Sequence, residues 1–133
     1  LNMRDWIFVN DHVDAIIKIL DLSEANTNYC IGANQVFTNI EIVEKICRLL
    51  DSKLNRSFSH LNLIKFVEDR PGHDNRYAID FSKIKNDLGW EPNESFESGI
   101  RKTLKWYLDN ETWTERVISG EYKLERLGKI DGN

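Results

Sequence analysis

Between residues 70 and 80 the sequence reads Arg70-Pro71-Gly72-His73-Asp74-Asn75-Arg76-Tyr77-Ala78-Ile79-Asp80, setting two arginines and a histidine around a Pro-Gly turn. A guanidinium is permanently charged, and its planar fork of donors matches paired oxygens of a phosphate or carboxylate. Imidazole adds a donor that titrates near neutrality. Together these are the components of an anion site. Thr38-Asn39-Ile40-Glu41 supplies another: a helix start, whose free amides attract anions, with Asn39 in its first turn either as a neighbour of the cap or as a ligand contact. Ion pairing gives a second account of the arginines, Arg70 with Asp69 or Asp74 and Arg76 with Asp80, and residue chemistry leaves both accounts open.

The elements around these residues follow from local pattern. Ile64 to Val67 reads as a strand, and Pro71 drives Arg70 out of the α region, so the chain leaves that strand extended. Pro71 and Gly72 then suit the centre of a type II turn. Tyr77 to Ile79 is extended again, and Asp80 or Ser82 caps a short helix with Phe81, Ile84 and Leu88 inward, ended by Gly89 as a left-handed residue. Trp90 packs back, and Pro92 separates this helix from one over Ser95 to Leu108. Phe96, Ile100, Leu104, Tyr107 and Leu108 form its inner stripe, with Arg101, Lys102 and Lys105 outside. Upstream, Trp6 to Val9 reads as a strand, Asp11 as the cap of a helix with Val13, Ile16, Ile17 and Leu20 inward, and Tyr29-Cys30-Ile31 as a strand stopped by Gly32. The capping box at Thr38 opens a helix with Val43, Ile46, Cys47 and Leu50 on one face. Trp113, Val117 and Ile118 suggest a last short helix ended by Gly120, with a mobile tail over residues 123–133. Alternating strands and helices predict an α/β unit, helices covering a small mixed sheet, over residues 1–122.

Composition narrows the classes. With 133 residues, 41% hydrophobic and 30% charged, the chain is one ordinary globular domain. A net charge of -4 argues against general binding of nucleic acid or membrane surfaces, and no apolar run is long enough to span a bilayer. Cys30 and Cys47 lack metal-ligand spacing and read as buried free thiols of a reducing, cytoplasmic setting. His12 and His60 read as surface residues, so no nucleophilic triad is assembled. There is no G-x-G-x-x-G turn for a dinucleotide. A strand almost at the first residue, without an initiator methionine, reads as a piece of a longer protein.

The 70–80 string resembles the dTDP-glucose 4,6-dehydratases, nucleotide-sugar enzymes of the extended short-chain dehydrogenase/reductase family. So do Arg4-Asp5-Trp6-Ile7-Phe8-Val9-Asn10-Asp11-His12, Asn28-Tyr29-Cys30-Ile31-Gly32, Thr38 to Val43, Leu88-Gly89-Trp90-Glu91-Pro92 and Phe96 to Leu108, in the family's order from residue 4 to about residue 122. The resemblance implies a carboxy-terminal, substrate-binding domain whose amino-terminal Rossmann half is absent here. In such a parent, NAD oxidises the sugar at C4, water leaves across C5 and C6, and hydride returns to C6, as a step of rhamnose-type deoxysugar synthesis. The parent would be a homodimeric cytoplasmic lyase binding dTDP-glucose. By the same resemblance, Arg4, Asn39, Arg70 and His73 match positions that contact the nucleotide and its diphosphate, while a further family tyrosine falls on Ile130. The family's Tyr-x-x-x-Lys pair and its Asp-Glu pair are missing, so the resemblance gives this chain no catalytic residue, no NAD of its own and no turnover alone. Two alternatives stand beside it. One is a GDP-mannose dehydratase or UDP-glucuronate decarboxylase, which Arg4-Asp5-Trp6 permits and the 70–80 string opposes. The other is a stand-alone binding or interaction domain.

Overall fold

The computed structural model describes residues 2–67 and 71–119; Arg70, Gly120, Ile130 and the tail lie outside the described residues. Strand β1 (Met3–Asp5) runs antiparallel to β2 (Val36–Thr38), with Met3 opposite Thr38, Arg4 opposite Phe37 and Asp5 opposite Val36. On its other edge Met3 bridges Arg76 in the parallel sense, its amide donating to Asn75 O at 2.7 Å and its carbonyl accepting from Tyr77 N at 3.0 Å. The sheet is therefore small and mixed, as expected, but it starts at Met3 rather than Trp6. The reason is Asp5, whose carboxylate accepts from the amides of Ala33 and Asn34 at 3.2 Å each and of Gln35 at 2.9 Å. That grip locks the register at Asp5. Trp6 gives one more bond, to Gln35 O, and by Phe8 the chain is already capping helix α1 (Val9–Leu22).

Helix α1 corrects two expectations. Asp11 does not cap it; the helix begins two residues earlier, and the Asp11 side chain, 3% exposed, turns inward to accept from Glu94 N at 3.0 Å. The inner face is Asp11, Ala15 and Ile19, whereas Val13, Ile16, Ile17 and Leu20 are 42–79% exposed. At 3.6 residues per turn these two sets lie on roughly opposite sides of the helix. The helix is thus apolar on both, a pattern of helices that are covered from two directions.

Helix α2 (Asn39–Lys53) starts with the expected capping box: Glu41 N donates to Thr38 Oγ1 at 3.3 Å and Thr38 N to Glu41 Oε2 at 2.7 Å. The Thr38 hydroxyl, which also donates to Glu41 Oε2 at 2.7 Å, and then the Thr38 amide hold the Glu41 carboxyl below its ordinary range, with Lys45 adding to the effect. Its buried residues are Ile42, Cys47 and Leu49, so the face is rotated from the expected one, and Val43 is exposed. The segment 64–67 is not a strand. A 3-10 turn (His60–Leu63) precedes it, and Phe66 and Val67 point to solvent. The chain is held instead at Asp51, which accepts from His60 N at 2.9 Å, from Ser59 Oγ at 2.6 Å and from His60 Nδ1, so His60 is a half-buried anchor rather than a surface residue.

Residues 29–31 form no ladder among the described residues; Tyr29 and Ile31 pack on the core and Cys30 faces out, so only Cys47 is a buried thiol, and both are free. Helix α3 (Ser82–Leu88) follows Phe81, and Asp80 serves the turn before it by accepting from Ser82 N at 2.9 Å. Gly89 ends α3 at φ 62°, as expected. The core centres on Ala15, Ile84 and Trp90, with Phe81 edge-on to Trp90 at 5.9 Å. Helix α4 (Phe96–Asp109) is capped by Ser95 and buries Phe96, Gly99 and Leu104, leaving Tyr107 about half exposed; α5 (Glu111–Ile118) follows.

Ile84 is fully buried, so Ile84→Ala should destabilise the chain by about 2–5 kcal/mol in urea unfolding. Leu20→Ser, on the exposed face of α1, should change stability by under ~0.5 kcal/mol while lowering self-association in sedimentation. The Asp51 carboxyl is held down from 3.8 to about 2, by the His60 amide first and then by the Ser59 and His60 side chains. A depressed carboxyl stabilises the fold above its unfolded value and loses that contribution as pH falls through the folded one. A carbon-detected titration should therefore place the Asp51 midpoint near 2, with loosening of residues 51–63 confined to the window below the ordinary value.

Candidate functional site

Strand alternation puts the Arg4 side chain on the face opposite those of Met3 and Asp5, between β2 and the 75–77 segment. Its Nη1 donates back to Met3 O at 2.7 Å, and its Nη2 donates to His73 Nε2 at 2.7 Å and to Asp74 O at 3.1 Å. Arginine can only donate, so Nε2 accepts and the ring proton of His73 sits on Nδ1. Nδ1 lies 3.1 Å from the side-chain amide of Asn2, which must then turn its oxygen toward the ring. Asn2 also accepts from the Asn39 amide through its carbonyl, at 2.9 Å. Gly72, at φ 70°, makes the turn that delivers His73.

Of the four expected residues, Arg4 and His73 meet, and Asn39 joins them only through its backbone amide, which donates to Asn2 O while the Asn2 side chain reaches His73. Arg70 lies outside the described residues. The Asn39 amide, expected as a free helix-start donor, is already given to Asn2. Pairing with Asp80 was one account of Arg76, yet the Asp80 carboxylate serves Ser82, and among the described residues the two do not pair. Two contributors escaped sequence reasoning. Asn2 carried no signal, since it precedes every motif. Tyr77, whose ring lies 4.4 Å under the Arg4 guanidinium, stood in the string as an ordinary strand aromatic. The cluster is an open wall rather than a closed pocket: Arg4 and His73 are half-buried, and Asn39 and Tyr77 are exposed. A cavity of about 780 Å³ lies elsewhere, between the start of α1 and helices α4 and α5, lined by Trp6, Phe8, Phe96, Trp106 and Trp113, and it includes none of Arg4, Asn39 and His73. Among the described residues no group of His, Cys, Asp and Glu could hold a metal ion, and no helix is long and apolar enough to cross a membrane.

An open wall of cationic and amide donors is half of an anion site, and comparison with known proteins gives it a family. A family model described as GDP-mannose 4,6 dehydratase matches residues 1–103. The chain belongs to that family. Among curated relatives in and around it, a dTDP-glucose 4,6-dehydratase of Neisseria meningitidis is 48% identical over 132 residues, covering 96% of this chain and 37% of the relative. One from Escherichia coli is 47% identical over 133 residues, covering 97% and 37%. In structure, the chain superposes on a Bacillus anthracis dTDP-glucose 4,6-dehydratase in complex with NAD at a TM-score of 0.74, with 42% identity over 85% of this chain and 33% of the other. A Streptomyces venezuelae dTDP-glucose 4,6-dehydratase with NAD bound gives 0.74, with 33% identity over 84% and 33%. The chain therefore spans about a third of the length of the relatives it matches, and its fold is that of one part of an extended short-chain dehydrogenase/reductase.

Within this family fold, Gly32 is what lets the Asp5 grip close. A Cβ there would sit 2.6 Å from Asp5 Oδ2 and 2.8 Å from Ile79 Cβ. Gly32→Ala should cost about 1–3 kcal/mol by overpacking, and the amide signals of residues 33–35, which the Asp5 carboxylate holds, should shift with it in a nitrogen-proton correlation spectrum.

Proposed function

We propose that residues 1–122 are the substrate-binding part of an NAD-dependent dTDP-glucose 4,6-dehydratase, and that Arg4, Asn39, Arg70 and His73 hold the dTDP diphosphate. The observation carrying this reading is the contact of Arg4 with His73, 69 residues apart in sequence, beside the start of α2. An acidic chain has little other reason to gather such donors at one place, and two adjacent phosphates need several of them. The identity of 48% to dTDP-glucose dehydratases supplies the substrate class.

The division of labour follows from what this chain lacks. No glycine-rich strand-to-helix turn occurs in it, so its residues do not fit NAD, and the Tyr-x-x-x-Lys pair that would move protons is also missing. Redox chemistry and water elimination fall to an amino-terminal Rossmann part of the parent, while this part binds and orients dTDP-glucose and keeps the sugar in register. The exposed stripe of α1 is the natural seat for that other part, since it is apolar and faces away from this chain's own core. The free thiols Cys30 and Cys47 suit a cytoplasmic parent, acting as a homodimer in deoxysugar synthesis.

A second reading, a GDP-mannose dehydratase, is favoured by the description of the matching family model. One assay separates the two. The full-length protein should convert dTDP-glucose to the 4-keto-6-deoxy product and leave GDP-mannose untouched; the reverse result would overturn the proposal. In that assay Arg70→Ala should raise KM for dTDP-glucose far more than it lowers kcat, because the lost contact binds ground and transition states alike. Arg70→Lys should recover little, since a point charge does not reproduce the fork.

A further inference from the structure

Arg4 is held by Met3, His73, Asp74 and Tyr77, and Tyr77 also contacts two of the others, Met3 and Asp74. The Arg4 guanidinium lies over the Tyr77 ring, 4.4 Å from Cζ to the centroid. Its amide donates at 3.0 Å to Met3 O, the same carbonyl that takes Arg4 Nη1 at 2.7 Å. Its hydroxyl donates to the carboxylate of Asp74, whose backbone carbonyl takes Arg4 Nη2 at 3.1 Å. One tyrosine is thus bound to both residues whose backbone carbonyls Arg4 uses, to Met3 at that carbonyl and to Asp74 at its carboxylate, and it covers a face of the group they hold.

We infer that Tyr77 is a positioning residue for nucleotide binding: it fixes Arg4 in the orientation that meets a nucleoside diphosphate, without touching the ligand itself. This rests on the reading of the Arg4 cluster as the diphosphate site and adds a residue to it. Three of the five guanidinium N–H groups are taken by Met3 O, His73 Nε2 and Asp74 O; among the described residues Nε–H and one Nη1–H have no acceptor and can meet a phosphate. A long arginine side chain has much rotamer freedom to lose on binding. With the ring beneath it that loss is met during folding, and the nucleotide encounters a prepared pair of donors. The attraction between cation and ring comes from the aromatic face and needs no hydroxyl.

The test measures dTDP affinity by calorimetry, and KM and kcat for dTDP-glucose, in the full-length protein carrying Arg4→Ala, Tyr77→Phe, Tyr77→Leu, Tyr77→Met and the double change Arg4→Ala with Tyr77→Leu, each checked for folding by thermal melting. Tyr77→Leu and Tyr77→Met should weaken dTDP binding roughly three- to thirtyfold, the range a cation–aromatic contact supports, and raise KM with kcat little changed. Tyr77→Phe should restore affinity to within about threefold, because the face is kept. In the Arg4→Ala background, Tyr77→Leu should lose almost nothing more, since a residue that acts through Arg4 is silent without it. An equal loss in both backgrounds, or Tyr77→Phe as weak as Tyr77→Leu, would overturn the inference. If Arg4→Ala binds normally, the diphosphate site falls and takes Tyr77 with it; if Arg4→Ala is weak and both Tyr77→Leu and Tyr77→Met bind normally, only Tyr77 falls. Should Tyr77→Leu fail to fold, Tyr77→Met and Tyr77→Phe decide alone.

Discussion

A single carboxylate fixes the rest. Asp5 collects the amides of Ala33, Asn34 and Gln35, three donors that a bend in the chain would otherwise leave unmatched. Bonds from N–H groups to a charged acceptor are among the stronger local interactions, about 1.5–3 kcal/mol each. Because the bonds are directional, they fix where β2 begins as well as adding stability. Val36 then pairs with Asp5, Phe37 with Arg4 and Thr38 with Met3, and Thr38 is at once the end of the strand and the cap of α2. The start of α2 and the side chain of Arg4 therefore share one origin. Gly32 is the steric counterpart, since the carboxylate can approach only where no Cβ stands.

The placement of Arg4 is a consequence of strand geometry. Asp5 works on one face of β1 and Arg4 emerges on the other, so the residue that builds the fold and the residue proposed to meet the diphosphate are sequence neighbours without competing for partners. An arginine beside an aspartate invites an ion pair; here the carboxylate is saturated by backbone amides, and the guanidinium turns instead to carbonyls, an imidazole and an aromatic face.

Local chemistry made much of this legible in the sequence. The capping box at Thr38 and Glu41 and the left-handed Gly72 and Gly89 all depend on residues within a few positions of one another, and all formed as read. The contact of Arg4 with His73 was legible only through family resemblance, because nothing local relates positions 69 residues apart. What failed depended on tertiary choice. Asp11 fits a cap by type, but a buried amide at Glu94 claimed it. Ile64 to Val67 has the composition of a strand and no neighbour among the described residues to pair with. In α2, Ile42 and Leu49 won the inner face from Val43 because the apolar stripe is wide enough to be seated at more than one rotation. Tyr77 was invisible for another reason: its importance lies in what is stacked on it.

The two apolar sides of α1 give this chain two different mutational landscapes. Ala15 and Ile19 contribute to stability whenever the chain is folded. Ile16 and Ile17 contribute only once something lies over them, so in the separate chain they are nearly neutral positions, tolerant of many replacements, while in a covered setting each becomes a core position intolerant of most. Substitution tolerance along one helix would then report, residue by residue, whether that cover is in place. Opposite faces of α1 would respond to different parts of the same protein.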